Sequence, residues 1–227
     1  MSFRVDSRAT EYREIDRFDG GVGWIAHPEE TMERASHALV IDGEVWVLDP
    51  VDAEGIDDLL TDLGEIAGVV VMLDRHKRDA GAIAKRHDVP VYLPRWFDGV
   101  SEKLGAPVSR FDAQLADTGL EAIVLKDSRL WQEVGLYDPI RGTLVVPESL
   151  GTASYFRAGG EPLGVHPMRR LAPPRGVLGS YRPDRILVGH GEGIHENAPQ
   201  ALADALDHAR KRTPRAYAGA VRQLLPF

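Results

Sequence analysis

The chain has 227 residues and a formal net charge of −8 at pH 7, a length that suits one α/β domain spanning residues 1–227 and a balance that argues against general affinity for nucleic-acid backbone. It has no cysteine, which excludes disulfides, thiolate zinc sites and a cysteine nucleophile, so any metal must sit on histidine and carboxylate. No window approaches the roughly 18 apolar residues of a membrane span, and the opening MSFRVDSRATEYREIDRF is too charged for a signal peptide, so a cytoplasmic protein is expected.

In chain order, SHALVIDGEVWVLDPV (36–51) predicts a hairpin, two β-prone runs around Asp42-Gly43, with Pro50 stopping the second strand. AEGIDDLLTDLGEIAG places Ile56, Leu59, Leu60 and Leu63 at helical spacing and predicts a helix closed by Gly68. GVVVML predicts a buried strand, DAGAIAKRHD a helix and VPVYLP a further strand, an alternating α/β order. RFDAQLADTGLEAIVLKD carries short strands, and LWQEVGLYDP with RGTLVVPES forms a second hairpin around Asp138-Pro139 to Gly142. The Gly-, Pro- and Arg-rich run at about 158–184 predicts a surface excursion or partner contact. DRILVGHGEGI then predicts a strand running into His190, and ENAPQALADALDHARKR a helix.

The strand ends carry the chemistry. Asp49 closes one, the cluster Asp74, Arg75, His76, Lys77, Arg78 and Asp79 follows the next, Glu148 closes a third and His190 a fourth. Carboxylates and histidines recurring at strand ends are how an α/β scaffold gathers a site from distant sequence. The plainer alternative for the charged cluster is a solvated turn. His27, His37, His87, His166, His195 and His208 have no motif around them, and Trp24, Trp46, Trp96 and Trp131 read as core or pocket lining.

With these residues in view, the chain resembles the metallo-β-lactamase fold superfamily. SHALVIDGEVWVLDPV resembles that family's opening hairpin, whose strand ends in an aspartate, here Asp49. VVVMLDRHKRDAGAIAKRHDVPVYLP resembles its His-x-His-x-Asp-His signature with the glycine, helix and strand that follow. GTLVVPESLG resembles the strand that ends in its bridging aspartate, with Glu148 in that place, and PDRILVGHGEGI the strand end that supplies its last metal-binding histidine, here His190. The resemblance implies a four-layer αββα sandwich and ancestral metal-assisted hydrolysis of an ester, amide, thioester or phosphodiester.

The departures bear on the metal. With His76 on the second histidine of the signature and Gly81 on its glycine, Asp74 replaces the first histidine, Arg78 the aspartate and Asp79 the last histidine. A one-residue slip keeps Asp79 as the aspartate but moves His76 off its position. The histidine implied near residue 127 is absent, leaving Asp127 and Ser128. A two-zinc site is therefore not expected. What remains is no metal, or one divalent ion (zinc, manganese or iron) on a set drawn from His76, Asp79, Glu148, His190 and Asp74, with His76 and Asp79 as catalytic candidates. A carboxylate-rich set would favour manganese or iron. Asp49 and Arg78 would be structural there, Arg78 pairing with Asp74, Asp79 or Glu148 in place of an ion's cross-link.

Two other function classes stay open. PESLG (147–151) approaches the Gly-x-Ser-x-Gly elbow of serine hydrolases, with Ser149, Asp184 and His190 in that fold's chain order. A non-enzymatic binding module is the other, in which Arg169, Arg170, Arg175 and Arg182 meet an anionic ligand or simply pair with surplus acids. The expected partner is a small-molecule substrate or ligand, anionic in the latter version, with neither nucleic acid nor membrane; a homodimer is compatible.

Overall fold

The computed structural model describes residues 3–5 and 7–224. Its first sheet has seven strands in sequence order: β1 (Arg13–Phe18), β2 (Gly21–Ile25), β3 (Ala35–Ile41), β4 (Glu44–Leu48), β5 (Glu65–Val70), β6 (Val91–Pro94) and β7 (Val108–Phe111). The first four are antiparallel neighbours, and β4 to β7 run parallel. The parallel connections carry helices α1 (Ile56–Thr61), between β4 and β5, and α2 (Ala80–Arg86), between β5 and β6.

The hairpin of β3 and β4 forms as its sequence implies. Asp42 and Gly43 take φ of 52° and 86°, the left-handed pair that a two-residue turn needs to match strand twist. REIDRF and GVGWI lack the two-residue alternation that marks a strand on its own, yet both pair into the sheet, β1 with an irregularity between Ile15 and Phe18. The helix expected over AEGIDDLLTDLGEIAG is only its first part. The chain turns at Gly64, with φ 147°, and Glu65–Val70 is strand β5, parallel to β4 with Val47 opposite Val69. Sheet pairing overrides the helical spacing there.

The second sheet has the order β13-β10-β9-β8, built from β8 (Glu121–Ser128), β9 (Trp131–Asp138), β10 (Thr143–Val146) and β13 (Arg185–Val188). Strands β9 and β10 are the expected second hairpin, and β10 pairs with β13 in parallel. Between them lie the short pair β11 (Leu150–Gly151) and β12 (Gly164–Val165), and helix α3 (Arg175–Leu178). Helix α4 (Ala198–Leu224) closes the chain, running past Pro214 and well beyond the stretch its sequence first marks.

Alternation divides the second sheet between two cores. Val134, Leu136, Val145 and Leu187 pack with Trp24, Leu48 and Met72 of the first-sheet side, in a core that also takes in Ile56 and Leu60 of α1 and Ile83 of α2. Leu144, Val146, Ile186 and Val188 pack with Ala201, Leu202, Ala205 and Leu206 of α4. Helices, sheet, sheet and helix thus form an αββα sandwich, as the resemblance implied.

The run at 158–184 is not a plain surface excursion. Leu163, Val165, His166, Arg170 and Leu178 are buried within it.

Candidate metal centre

Parallel pairing brings distant strand ends together. Leu48 lies opposite Val70, so Asp49 and the Val71–Met72 segment leave the sheet side by side, and Met72 N donates to Asp49 Oδ1 at 2.8 Å. Val146 lies opposite Val188, so Pro147-Glu148 and Gly189-His190 emerge together at the other sheet. A Cβ on Gly189 would sit 2.1 Å from the Pro147 carbonyl oxygen, so only glycine permits that approach. A turn closed by His76 N on Leu73 O at 2.8 Å directs His76 at the same place.

The result is a buried cluster. Nε2 of His76 and Nε2 of His190 each lie 3.0 Å from Glu148 Oε2, and ligand atoms of the three residues all lie within 4.8 Å of one another. His190 is fully buried, and His76 and Glu148 nearly so. Each histidine's other nitrogen is held: His76 Nδ1 lies 2.9 Å from Asp49 Oδ2, and His190 Nδ1 lies 2.8 Å from the Met32 carbonyl oxygen.

These contacts settle the proton positions. A carbonyl can only accept, so His190 carries its hydrogen on Nδ1, and the carboxylate of Asp49 draws the same from His76. In the neutral rings both Nε2 lone pairs then face one carboxylate oxygen, which is repulsive unless positive charge lies among them. Ring protonation is one source of it, although burial pushes His190 below the ordinary histidine range, against the pull of Glu148. A divalent ion satisfies all three donors with both rings neutral, each ring's second nitrogen being oriented by a carboxylate or carbonyl as metal-binding histidines are. The donor set therefore fits one ion.

Arg78 makes different contacts from those expected. Among the described residues its guanidinium has no ion pair with Asp74, Asp79 or Glu148. Its Nη1 donates to the carbonyls of Ala35 at 2.6 Å and Asp49 at 2.7 Å, and Nη2 to that of Gly189 at 3.1 Å. Three strand ends are tied by one side chain, and Nε is buried without a partner. The carboxylates that could pair with it are already engaged: Asp79 Oδ2 accepts from Asp52 N at 2.8 Å, Glu148 holds the histidines, and Asp74 lies 3.5 Å from Arg75. Burial lowers Arg78 to about 10, with Asp49 acting in the opposite direction, so it remains a cation at neutral pH. A fixed cation here opposes a second metal ion.

The structure thus brings together Asp49, His76, Glu148 and His190, and leaves Asp74 and Asp79 outside the three-donor group. Asp127 and Ser128, where a further histidine was implied, bond to Gln132 and to the Trp131 carbonyl on β8–β9. Two residues with no signal in sequence belong to the site. His166, from the Gly-Pro-Arg run, has Nε2 3.2 Å from Glu148 Oε1. Glu133, fully buried on β9, accepts from the backbone N–H of Glu148 at 3.1 Å and of Ser149 at 2.7 Å, from the Ser149 hydroxyl, and from Trp131 Nε1 at 2.8 Å. Burial holds its carboxyl above the usual range, against those donors. A buried carboxylate can be inferred only once β9 is known to pass beneath the Glu148 turn.

The serine-hydrolase arrangement does not form. Ser149 is fully buried, its hydroxyl engaged by Glu133 and Arg169 rather than by a histidine. Asp184 N bonds to Gly142 O at the start of β13, while His190 follows the other end of that strand. Nor do the four arginines converge. Arg170 is buried on Glu161, Arg175 pairs with Asp207 at 3.0 Å, Arg182 donates to the carbonyls of Gly179 and Tyr181, and Arg169 lies 3.7 Å from Glu133. Among the described residues no helix is long and apolar enough to cross a membrane.

No family model matches the chain, and no curated protein matches its sequence. Solved structures do. The TMB-1 metallo-β-lactamase superposes with a TM-score of 0.61 at 15% identity, over 93% of this chain and 100% of that one. DIM-1 metallo-β-lactamase gives 0.60 at 14%, over 92% and 100%, and a metallo-β-lactamase from Pontibacter korlensis 0.59 at 15%, over 87% and 99%. With two facing sheets and outer helices superposing over most of both chains, the chain has the metallo-β-lactamase fold.

Proposed function

We propose that the protein is a hydrolase of this fold working with one divalent ion, held by His76, Glu148 and His190. The observation that carries the reading is the pair of ring nitrogens, both 3.0 Å from Glu148 Oε2, whose partner nitrogens are committed to Asp49 and the Met32 carbonyl. Two imidazoles and one carboxylate form a set used by catalytic zinc, and suit iron(II) as well. With Asp74 and Asp79 outside the group, the carboxylate-rich argument for manganese loses its basis. The structures it resembles are metallo-β-lactamases, one of them exposed to ceftazidime, which supports hydrolysis as the reaction class.

When bound, such an ion lowers the pKa of its water to about 7 and polarises a carbonyl or phosphoryl oxygen. The chain's own residues supply the rest. Asp49 and the Met32 carbonyl fix the rings so that both lone pairs face the ion. Arg78 ties the ends of β3 and β4 to the Gly189 carbonyl and keeps a fixed cation beside the group, so binding and turnover rest on one ion. Arg75, beside His76, lies 4.3 Å over the Trp131 ring with its side chain 42% exposed, a guanidinium placed for an anionic group on the substrate.

The test is hydrolysis of a panel of anionic esters, amides, thioesters and phosphodiesters by metal-free and metal-loaded protein. Turnover restored by one equivalent and absent in Glu148→Gln supports the reading. Turnover that survives exhaustive chelation contradicts it.

A further inference from the structure

We propose that His166, from the Gly-Pro-Arg run, is the positioning residue that makes Glu148 a one-oxygen ligand. The inference rests on the single-ion reading above and concerns how the carboxylate is presented to the ion.

The backbone delivers His166 to that position. Leu150 pairs with Val165 across β11 and β12, and His166 N extends the pairing to Ser149 O at 3.0 Å. His166 is thereby fixed beside the residue that follows Glu148. Its ring is 5% exposed and enclosed by Trp131, Phe156 and Tyr155, with ring centroids 5.0, 5.4 and 5.8 Å away.

The ring's proton sits opposite to that of the other two histidines. Met168 N donates to His166 Nδ1 at 3.2 Å, so Nδ1 carries a lone pair and the hydrogen is on Nε2. Nε2 lies 3.2 Å from Glu148 Oε1, while Nε2 of His76 and of His190 each lie 3.0 Å from Oε2. The two carboxylate oxygens are therefore divided by function: Oε1 is occupied by an N–H donor and Oε2 alone is open to a cation. The Tyr155 hydroxyl lies 3.3 Å from the same Nε2. Without the His166 donor, Oε1 is free to swing onto the ion and give a two-oxygen, higher-coordinate centre.

The experiment is cobalt(II) titration of the metal-free full-length protein, wild type and three variants, followed by visible absorption, with circular dichroism and thermal melts of each metal-free form. His166→Leu removes the donor. His166→Gln keeps an N–H at the reach of Nε2, and His166→Asn places one at the reach of Nδ1 only. Wild type should bind one equivalent with the intense bands of low-coordinate cobalt. The Leu and Asn variants should lose affinity by about 10- to 100-fold, the usual effect of removing a partner of a metal ligand, with weakened bands, and Gln should restore most of both. If Leu does not fold, the Asn and Gln pair decides. Affinity and bands unchanged in Leu or Asn would overturn the role of His166 and leave the single-ion reading standing. Wild type that binds no cobalt would overturn both.

Discussion

Arg78 is the residue whose meaning changes most between sequence and structure. Aligned on the signature, it reads as a cation lost among carboxylates, and an ion pair is the natural expectation. Its partners are instead carbonyls of Ala35, Asp49 and Gly189, which no local pattern could name because they come from three separate segments. Hydrogen bonds to a charged group contribute about 1.5–3 kcal/mol each, and shared acceptors make them less than additive. Arg78→Met should therefore lower unfolding free energy by about 2–4 kcal/mol in denaturant melts, whereas a solvated arginine would cost within about 0.5 kcal/mol. His76, Glu148 and His190 were legible because each follows a recognisable strand within a few residues. His166 and Glu133 were not, since what marks them is proximity to Glu148 and not spacing along the chain.

At the scale of elements, strands with clear alternation or apolar runs declared themselves, as β3, β4, β6, β10 and β13 did. Boundaries set by pairing did not, and α1 stops early because Glu65 onward is claimed by β4. The Gly-Pro-Arg run reads as a surface excursion in sequence, yet part of it is buried: of its arginines, most of which pair with acids as one reading had it, Arg170 is fully buried against Glu161 at 2.5 Å and also donates to Phe156 O. Removing one partner of such a pair leaves an uncompensated charge, at a cost of about 3–5 kcal/mol. Arg170→Ala should show that loss by chemical denaturation, and Arg182→Ala, which donates to the nearby Gly179 and Tyr181 carbonyls on an exposed turn, should change little. A second tie joins β1 to the loop after β13. Asp16, with φ 54°, lies 3.1 Å from His37 Nε2 and 2.8 Å from His195 Nε2, and accepts from Gly193 N at 2.8 Å. Burial would raise its carboxyl, but hydrogen bonds and charge from His37, the His195 hydrogen bond and the Gly193 N–H together hold it below its ordinary 3.8. A depressed carboxyl adds stability that is complete above the unfolded value and lost as pH falls through the folded one. The stability gap between wild type and Asp16→Asn should thus shrink as pH falls below about 4. A gap that keeps widening below about pH 4 would contradict the assignment.

For the whole molecule, parallel pairing is what turns a list of strand ends into a site: β4 with β5 presents Asp49 beside the segment leading to His76, and β10 with β13 presents Glu148 beside His190. The sandwich could be read from sequence because that order of strands, helices and terminal residues is carried by local patterns. The number of ions the site takes could not, because it depends on where Arg78 points and on which nitrogen of each histidine holds a proton. The most direct measurement is elemental analysis of protein purified without chelator and dialysed against metal-free buffer, alongside Glu148→Gln and His190→Ala. One equivalent of a divalent transition metal per wild-type chain is expected, with less than a tenth of an equivalent, in the sense of about a tenfold loss or more, in either variant. Two equivalents in wild type, or one equivalent undiminished in both variants, would contradict a single ion held by His76, Glu148 and His190.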